Sequence, residues 1–205
     1  KAYEAAYIIL GSSYDVLGKT KKSIKTFKKG IKKNPKSYML YFNLGISYFG
    51  EEDYNKAEQA ALSALENNVS HASSHLLLGN IAYLKGERVK ALMPFYFFLL
   101  LEPVSARSQK TIENINELLF EGVEMESKEK INVSLSSESV KDEEFGTADM
   151  MLSLYAASRF IKDNRDKSEI QFFTEMNEHF FSILGELKNE KSDDGFYQEF
   201  YVSFY

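Results

Sequence analysis

Nine lysines (Lys19, Lys21, Lys22, Lys25, Lys28, Lys29, Lys32, Lys33 and Lys36) fall within 18 residues that contain no acid. Lys22, Lys25, Lys29, Lys32, Lys33 and Lys36 share much of one face if the segment is helical. Such a face suits an anionic partner: nucleic acid, lipid headgroups or an acidic protein. It suits equally a solvated helix back turned toward the acidic half of the same chain. No arginine lies in the run and no aromatic is interleaved on its exposed face. Bidentate phosphate clamps and base stacking are therefore unsupported, and nucleic acid is not the expected partner. His71 and His75 stand four apart, the spacing of a metal pair on a helix. His179 sits within an amphipathic segment and reads as a surface or boundary residue. The acid pairs Glu143/Glu144 and Asp193/Asp194 adjoin polar stretches and read as solvation or capping rather than as an acid–base pair. The chain has no cysteine, which removes thiolate catalysis, thiolate metal sites and disulfides. It has no phosphate loop, no Gly-x-Ser-x-Gly elbow and no His-Glu-x-x-His. No catalytic residue, metal or cofactor is expected, and the chain is read as a non-enzyme.

The elements that would carry these residues are helices. Only 3 prolines and 11 glycines punctuate 205 residues, of which 44% are apolar and 27% charged. That composition fits a globular helical protein better than a many-turned β-fold. The longest apolar run, Ala91 to Leu101, rises only about 16 Å as a helix and is too short to span a bilayer. No signal peptide is recognisable. The chain opens at Lys1 without an initiator methionine, so it is read as trimmed and its compartment stays open. Asn68-Val69-Ser70 and Asn132-Val133-Ser134 are formal glycosylation acceptors, relevant only on a eukaryotic secretory route. Residues 1–105 hold 14 basic and 9 acidic side chains, residues 106–205 hold 11 and 21. The two halves differ in kind.

Self-similarity explains the first half. Gly11, Gly45 and Gly79 recur at a spacing of 34, with Leu10, Leu44 and Leu78 before them and Tyr7, Tyr41 and His75 three residues earlier still. Tyr14 and Tyr48 match, where the third copy has Ala82. Ser23, Ala57 and Ala91 align, then Phe27, Ala61 and Phe95, then Gly30, Ala64 and Phe98. Pro35 and Pro103 close the first and third copies, with Val69 in the second. Within a copy these residues fall at helical steps on two faces, separated by a turn at Gly18 or Gly86. Each unit of about 34 residues (4–37, 38–71, 72–105) is thus a helical hairpin whose open face its neighbour must cover. His71 falls in a turn and His75 at a packing position, which leaves the metal pair little support.

The pattern resembles the tetratricopeptide repeat, with its large-x-x-Leu-Gly-x-x-Tyr, Ala-x-x-x-Phe-x-x-Ala and terminal proline. The departures are Ser23, Gly30 and Phe98 for alanine, Ala61 for the aromatic, Val69 for proline and Ala82 for tyrosine. Phe98, large where the family has a small residue, suggests a third hairpin that is splayed or packed on something else. The resemblance implies an all-α solenoid (a tetratricopeptide-like superhelix of stacked hairpins) that binds peptides or proteins and acts as an adaptor. It also implies that first helices line a concave surface. Ile8, Ser12 and Asp15 would stand there from the first unit, Phe42, Asn43, Ile46 and Phe49 from the second, and Leu76, Asn80 and Tyr83 from the third. One variety of these repeats clamps a peptide's terminal carboxylate with Lys, Asn, Asn, Lys and Arg. The matching places here hold Ile8, Ser12, Asn43, Ser73 and Leu77, so no such chaperone tail is expected. The groove reads as apolar with two amides, Asn43 and Asn80, able to hydrogen-bond an extended backbone. Either a partner or the chain's own C-terminal helices fill it.

Repetition stops after residue 105, because Glu113 and Asn116 stand where a small residue and an aromatic are needed. Residues 106–121 read as a half-polar capping helix. Residues 122–146 read as an acidic linker, or as an extended arm in which Ile131, Val133 and Leu135 alternate. Helices resume over 147–205, at about 147–162 and 169–188, the second opened by a Ser168/Gln171 capping box. The aromatic stretch 196–205 is expected to pack against the helix at 169–188, with a missing continuation or a second molecule covering the rest. The rival to an adaptor is accordingly an assembly protein that oligomerises through 196–205 and through the apolar helix at 91–101.

Overall fold

The 34-residue spacing returns as paired helices in the computed structural model, which describes residues 2–127, 130–161, 164, 166–187 and 195–205. Helices α1 (Ala2–Val16) and α2 (Thr20–Lys33) form the first hairpin, α3 (Tyr38–Gly50) and α4 (Tyr54–Asn67) the second, α5 (Ala72–Lys85) and α6 (Arg88–Leu101) the third. The glycine–aromatic register is the reason each pair closes. A Cβ on Gly11 would lie 2.4 Å from the Phe27 ring, and one on Gly79 would lie 2.5 Å from the Phe95 ring. The rings lie where only hydrogen leaves room, so the two helix backbones approach closely. The second hairpin has Ala61 instead of an aromatic. There Leu77 of the third unit reaches across, with its Cδ2 3.0 Å from the Cβ position of Gly45, and is 4% exposed.

The turns inside the hairpins also repeat. Gly18 and Gly86 have φ of +66° and +72°, and Glu52, 34 residues from each, holds φ +57°. Left-handed backbone costs glycine nothing but strains a glutamate by about 1–2 kcal/mol. Ser37 and Asp53 cap α3 and α4 by accepting from the N–H groups of Leu40 and Lys56. Ser23, polar where the family has alanine, is matched in kind. Its hydroxyl donates to Asp15 Oδ2 at 2.7 Å, and Ser47 donates to the same oxygen at 2.6 Å. One carboxylate thereby links α1, α2 and α3.

Helix α7 (Ala106–Phe120) follows the third hairpin. The Arg107 guanidinium sits 5.4 Å from the centre of the Phe98 ring. Phe98 is fully buried, so its excess volume is taken up at the junction with α7. Residues 122–146 carry a two-stranded antiparallel hairpin, β1 (Val123–Ser127) with β2 (Lys130–Val133), and a short helix α8 (Ser137–Lys141). Helix α9 (Gly146–Ala157), a 3₁₀ turn (Ser158–Phe160), helix α10 (Glu169–Leu187) and a π-helical segment α11 (Tyr197–Val202) complete the described chain. Ser168 and Gln171 exchange bonds at the start of α10: the Ser168 N–H donates to Gln171 Oε1 at 3.0 Å and the Gln171 N–H to Ser168 Oγ at 3.3 Å. Asp193 and Asp194 lie outside the described residues.

Arg88 ties the C-terminal elements to the repeats. It is 4% exposed and the only arginine in the first 105 residues. Its Nε donates to the carbonyl of Leu118 at 2.6 Å and its Nη2 to that of Leu119 at 2.8 Å. These are last-turn carbonyls of α7, and that of Leu118 also accepts from the Glu121 N–H at 3.3 Å. Its Nη1 reaches Asp149 at 2.9 Å and Ser153 at 2.7 Å on α9. Burial pushes the guanidinium pKa down, and Asp149 opposes that push.

Candidate functional site

The side chains implied for the groove come from helices that lie side by side. Ser12 of α1 donates to Asn43 Oδ1 of α3 at 3.4 Å. Tyr83 of α5 donates to Glu117 of α7 at 2.9 Å, and Arg107 of α7 donates to Ser73 of α5 at 2.9 Å. Burial first, and Glu117 second, push the Tyr83 pKa up. Phe42, Asn43, Phe49, Leu76, Asn80 and Tyr83 are half-buried, and Ile46 is 42% exposed. The Phe42 ring meets His71 edge-on at 4.8 Å, and Phe49 lies 5.8 Å from Tyr54. These aromatics rest on the core with part of each ring open. Asn43 is partly spent within the fold, because its Nδ2 also donates to the carbonyl of Met39 at 2.7 Å. One N–H and one lone pair remain for a ligand backbone. Leu77, at a clamp position, is committed to filling the second hairpin.

The terminal aromatic helix docks on a different part of the repeats from the α3–α5 surface. Tyr201 donates to His75 Nδ1 at 2.6 Å. The donor is the tyrosine, because His75 Nε2 faces the Val69 carbonyl at 2.7 Å and must carry the proton. Tyr205 donates to the carbonyl of Met93 at 2.9 Å, and Tyr197 to Glu58 of α4 at 3.3 Å. Phe97 of α6 takes Phe200 at 5.0 Å and Phe204 at 4.8 Å. The expected contact with α10 is present, Phe181 lying 5.1 Å from Tyr205, but the segment rests on α6 as well and its tyrosines reach α4, α5 and α6. The physical reason is polar. Tyrosine hydroxyls buried here need partners, and His75, Glu58 and the Met93 carbonyl supply them. His75 is thus a packing residue, and burial lowers its pKa to about 4. His71 donates or accepts at Ser74, 2.8 Å away. Most of the apolar run 91–101 is buried within the chain as well.

Lys22, Lys25, Lys29, Lys32, Lys33 and Lys36 are all exposed. Among the described residues none of them forms an ion pair. No group of described His, Asp or Glu residues has the arrangement to hold a metal ion. No described helix is long and apolar enough to cross a membrane.

Sequence reasoning missed Arg88, Asp149 and Tyr201 as positioning residues. The isolation of Arg88 in a lysine-rich half was the one available signal.

Residues 4–37 and 26–59 each match a family model described as a tetratricopeptide repeat. Two curated relatives, the BBSome complex member BBS4 of Bos taurus and of Mus musculus, are 34% identical over 77 residues. That stretch is 38% of this chain and 15% of each relative's length, so the chain spans only a small part of them. Among solved structures, the Arabidopsis OM64 tetratricopeptide domain aligns with a TM-score of 0.54 at 16% identity, covering 57% of this chain and 96% of that one. The first such domain of Spaghetti (RPAP3), bound to the HSP90 peptide SRMEEVD, aligns at 0.55 with 21% identity, covering 58% and 96%. PilF of Pseudomonas aeruginosa aligns at 0.53 with 13% identity over 93% of this chain and 78% of that one.

Proposed function

We propose that the chain, whose residues 4–37 and 26–59 match tetratricopeptide-repeat models, is a non-catalytic scaffold that binds a protein or peptide partner across α3 and α5. The carrying observation is the row of half-open apolar side chains there, Phe42, Ile46, Phe49, Leu76 and Tyr83, beside the amides Asn43 and Asn80. Preformed helical faces bind with little ordering cost on the scaffold's side. The surface suits a segment offering apolar side chains, with its backbone held by amides. It does not suit a terminal carboxylate, because Ile8, Ser12, Ser73 and Leu77 replace the cationic and amide ligands such a group needs.

The test is selection from a displayed peptide library, with SRMEEVD as the contrasting probe. Apolar peptides should be enriched and SRMEEVD should fail to bind. Changing Phe42, Asn43 and Tyr83 to alanine together should weaken the selected peptides at least about tenfold, since a few central anchors carry most of such binding. Unchanged capture by a folded triple variant would reject the groove.

A further inference from the structure

We propose that the first hairpin is a docking surface for a lipid bilayer carrying anionic headgroups, independent of the groove. Two features of the hairpin adjoin. The first is its tip, where Val16 and Leu17 are 88% and 63% exposed just before Gly18 turns the chain. The second is α2, whose lysines surround its outward side with no acid from Lys19 to Lys36 and no ion pair among the described residues. The Lys22 ammonium lies 5.9 Å from the centre of the Tyr14 ring of α1, which places the lysine face beside the end of α1 that leads into the tip.

Each property points to a bilayer rather than to another polyanion. Lysine is a compact, mobile charge that responds to a surface potential, whereas arginine forks are what phosphate-specific sites use. Nucleic acid would also call for exposed aromatic platforms among the cations, whereas Phe27, the one aromatic from Lys19 to Lys36, and Tyr48 beside Lys28 are buried. Exposed aliphatic side chains at a tip bordered by Lys19, Lys21 and Lys22 have a use at a membrane: they enter the headgroup–acyl boundary while the ammonium groups stay at headgroup level. The next turn limits the footprint, because Glu51 and Glu52 are exposed there and are repelled by the same surface.

Cosedimentation of the whole chain with vesicles tests this. Binding is expected to vesicles of phosphatidylcholine with about one-third phosphatidylserine, not to phosphatidylcholine alone, and to fall steeply as salt rises from about 50 to 300 mM. Lys22→Glu, Lys25→Glu and Lys29→Glu together should weaken partitioning about a hundredfold or more, all three residues being exposed. Leu17→Ser should weaken it several-fold without changing its salt dependence, a loss that purely ionic adsorption would not show. Glu51→Gln with Glu52→Gln should strengthen it, an outcome no folding defect produces. Equal binding to neutral vesicles, no response to Leu17→Ser, or binding to duplex DNA or an acidic peptide while vesicles are ignored would each overturn the proposal.

Discussion

The repeat hairpins and the C-terminal elements are both helical, yet they are held by different means. Inside α1–α6 the contacts are short-range and largely periodic: a left-handed turn returns every 34 residues, and a ring over a glycine closes the first and third hairpins. From α7 onward they are single, long-range and polar. Arg88 meets Asp149 across 61 residues and His75 meets Tyr201 across 126. Loss of one periodic contact leaves its counterparts in place. Loss of one anchor leaves a buried charge or hydroxyl without a partner, and the penalty is concentrated there.

Replacing Arg88 with methionine should give the largest effect. Asp149 would stay buried without its guanidinium counter-charge, at about 3–5 kcal/mol. Thermal unfolding and hydrogen exchange should show α9 loosening before α1–α4. Adding Asp149→Leu should recover most of the loss, because an apolar pair of similar volume avoids the stranded charge. If the double variant stays as unstable as the single one, packing rather than charge is what Arg88 supplies.

Acid should act next, and on the same half. His75 takes a proton at about 6.5 in the unfolded chain but only at about 4 in the native one. Its contribution is therefore complete above about pH 6.5 and drains away as pH falls toward 4, approaching about 3 kcal/mol. His71, its pKa also lowered by burial and then by Arg107, acts in the same direction. Denaturant titrations at pH 7 and pH 4.5 measure the loss. His75→Leu with Tyr201→Phe should flatten most of it, and an unchanged pH slope in that variant would assign the sensitivity elsewhere.

Within the repeats, Gly79→Ala should cost about 1–3 kcal/mol through the clash with Phe95. The smallest effect has the opposite sign. Glu52→Gly should relieve left-handed strain and raise stability by about 0.5–1 kcal/mol, after the entropy that glycine adds to the unfolded chain. Urea midpoints at constant slope would read both.

This division also separates what the residues announced from what they hid. Gly11, Gly79, Phe27 and Phe95 could be read because both partners of each contact sit inside one period. The turn at Glu52 was hidden because glutamate carries no sign of a left-handed backbone. Val123 and Met125 alternate with Glu124 and Glu126 as Ile131 and Val133 do with Asn132. The strand pair was therefore faintly written, and its acids drew attention to solvation instead. Arg88 and Tyr201 could not be placed, because no spacing encodes a partner 61 or 126 positions away. The groove residues were named through resemblance, whereas Asn43's bonds to Ser12 and Met39 arise from neighbouring helices and emerge only in three dimensions.

Leu77 gives the array an asymmetry with a practical edge. The hole left by Ala61 is plugged from the following unit, so the second and third hairpins share one piece of core. Cutting between them would leave one fragment with a void and the other with a stray leucine on its surface. The two should melt as a single block, to which Leu40 against Gly30 and the Ser47–Asp15 bond tie the first hairpin.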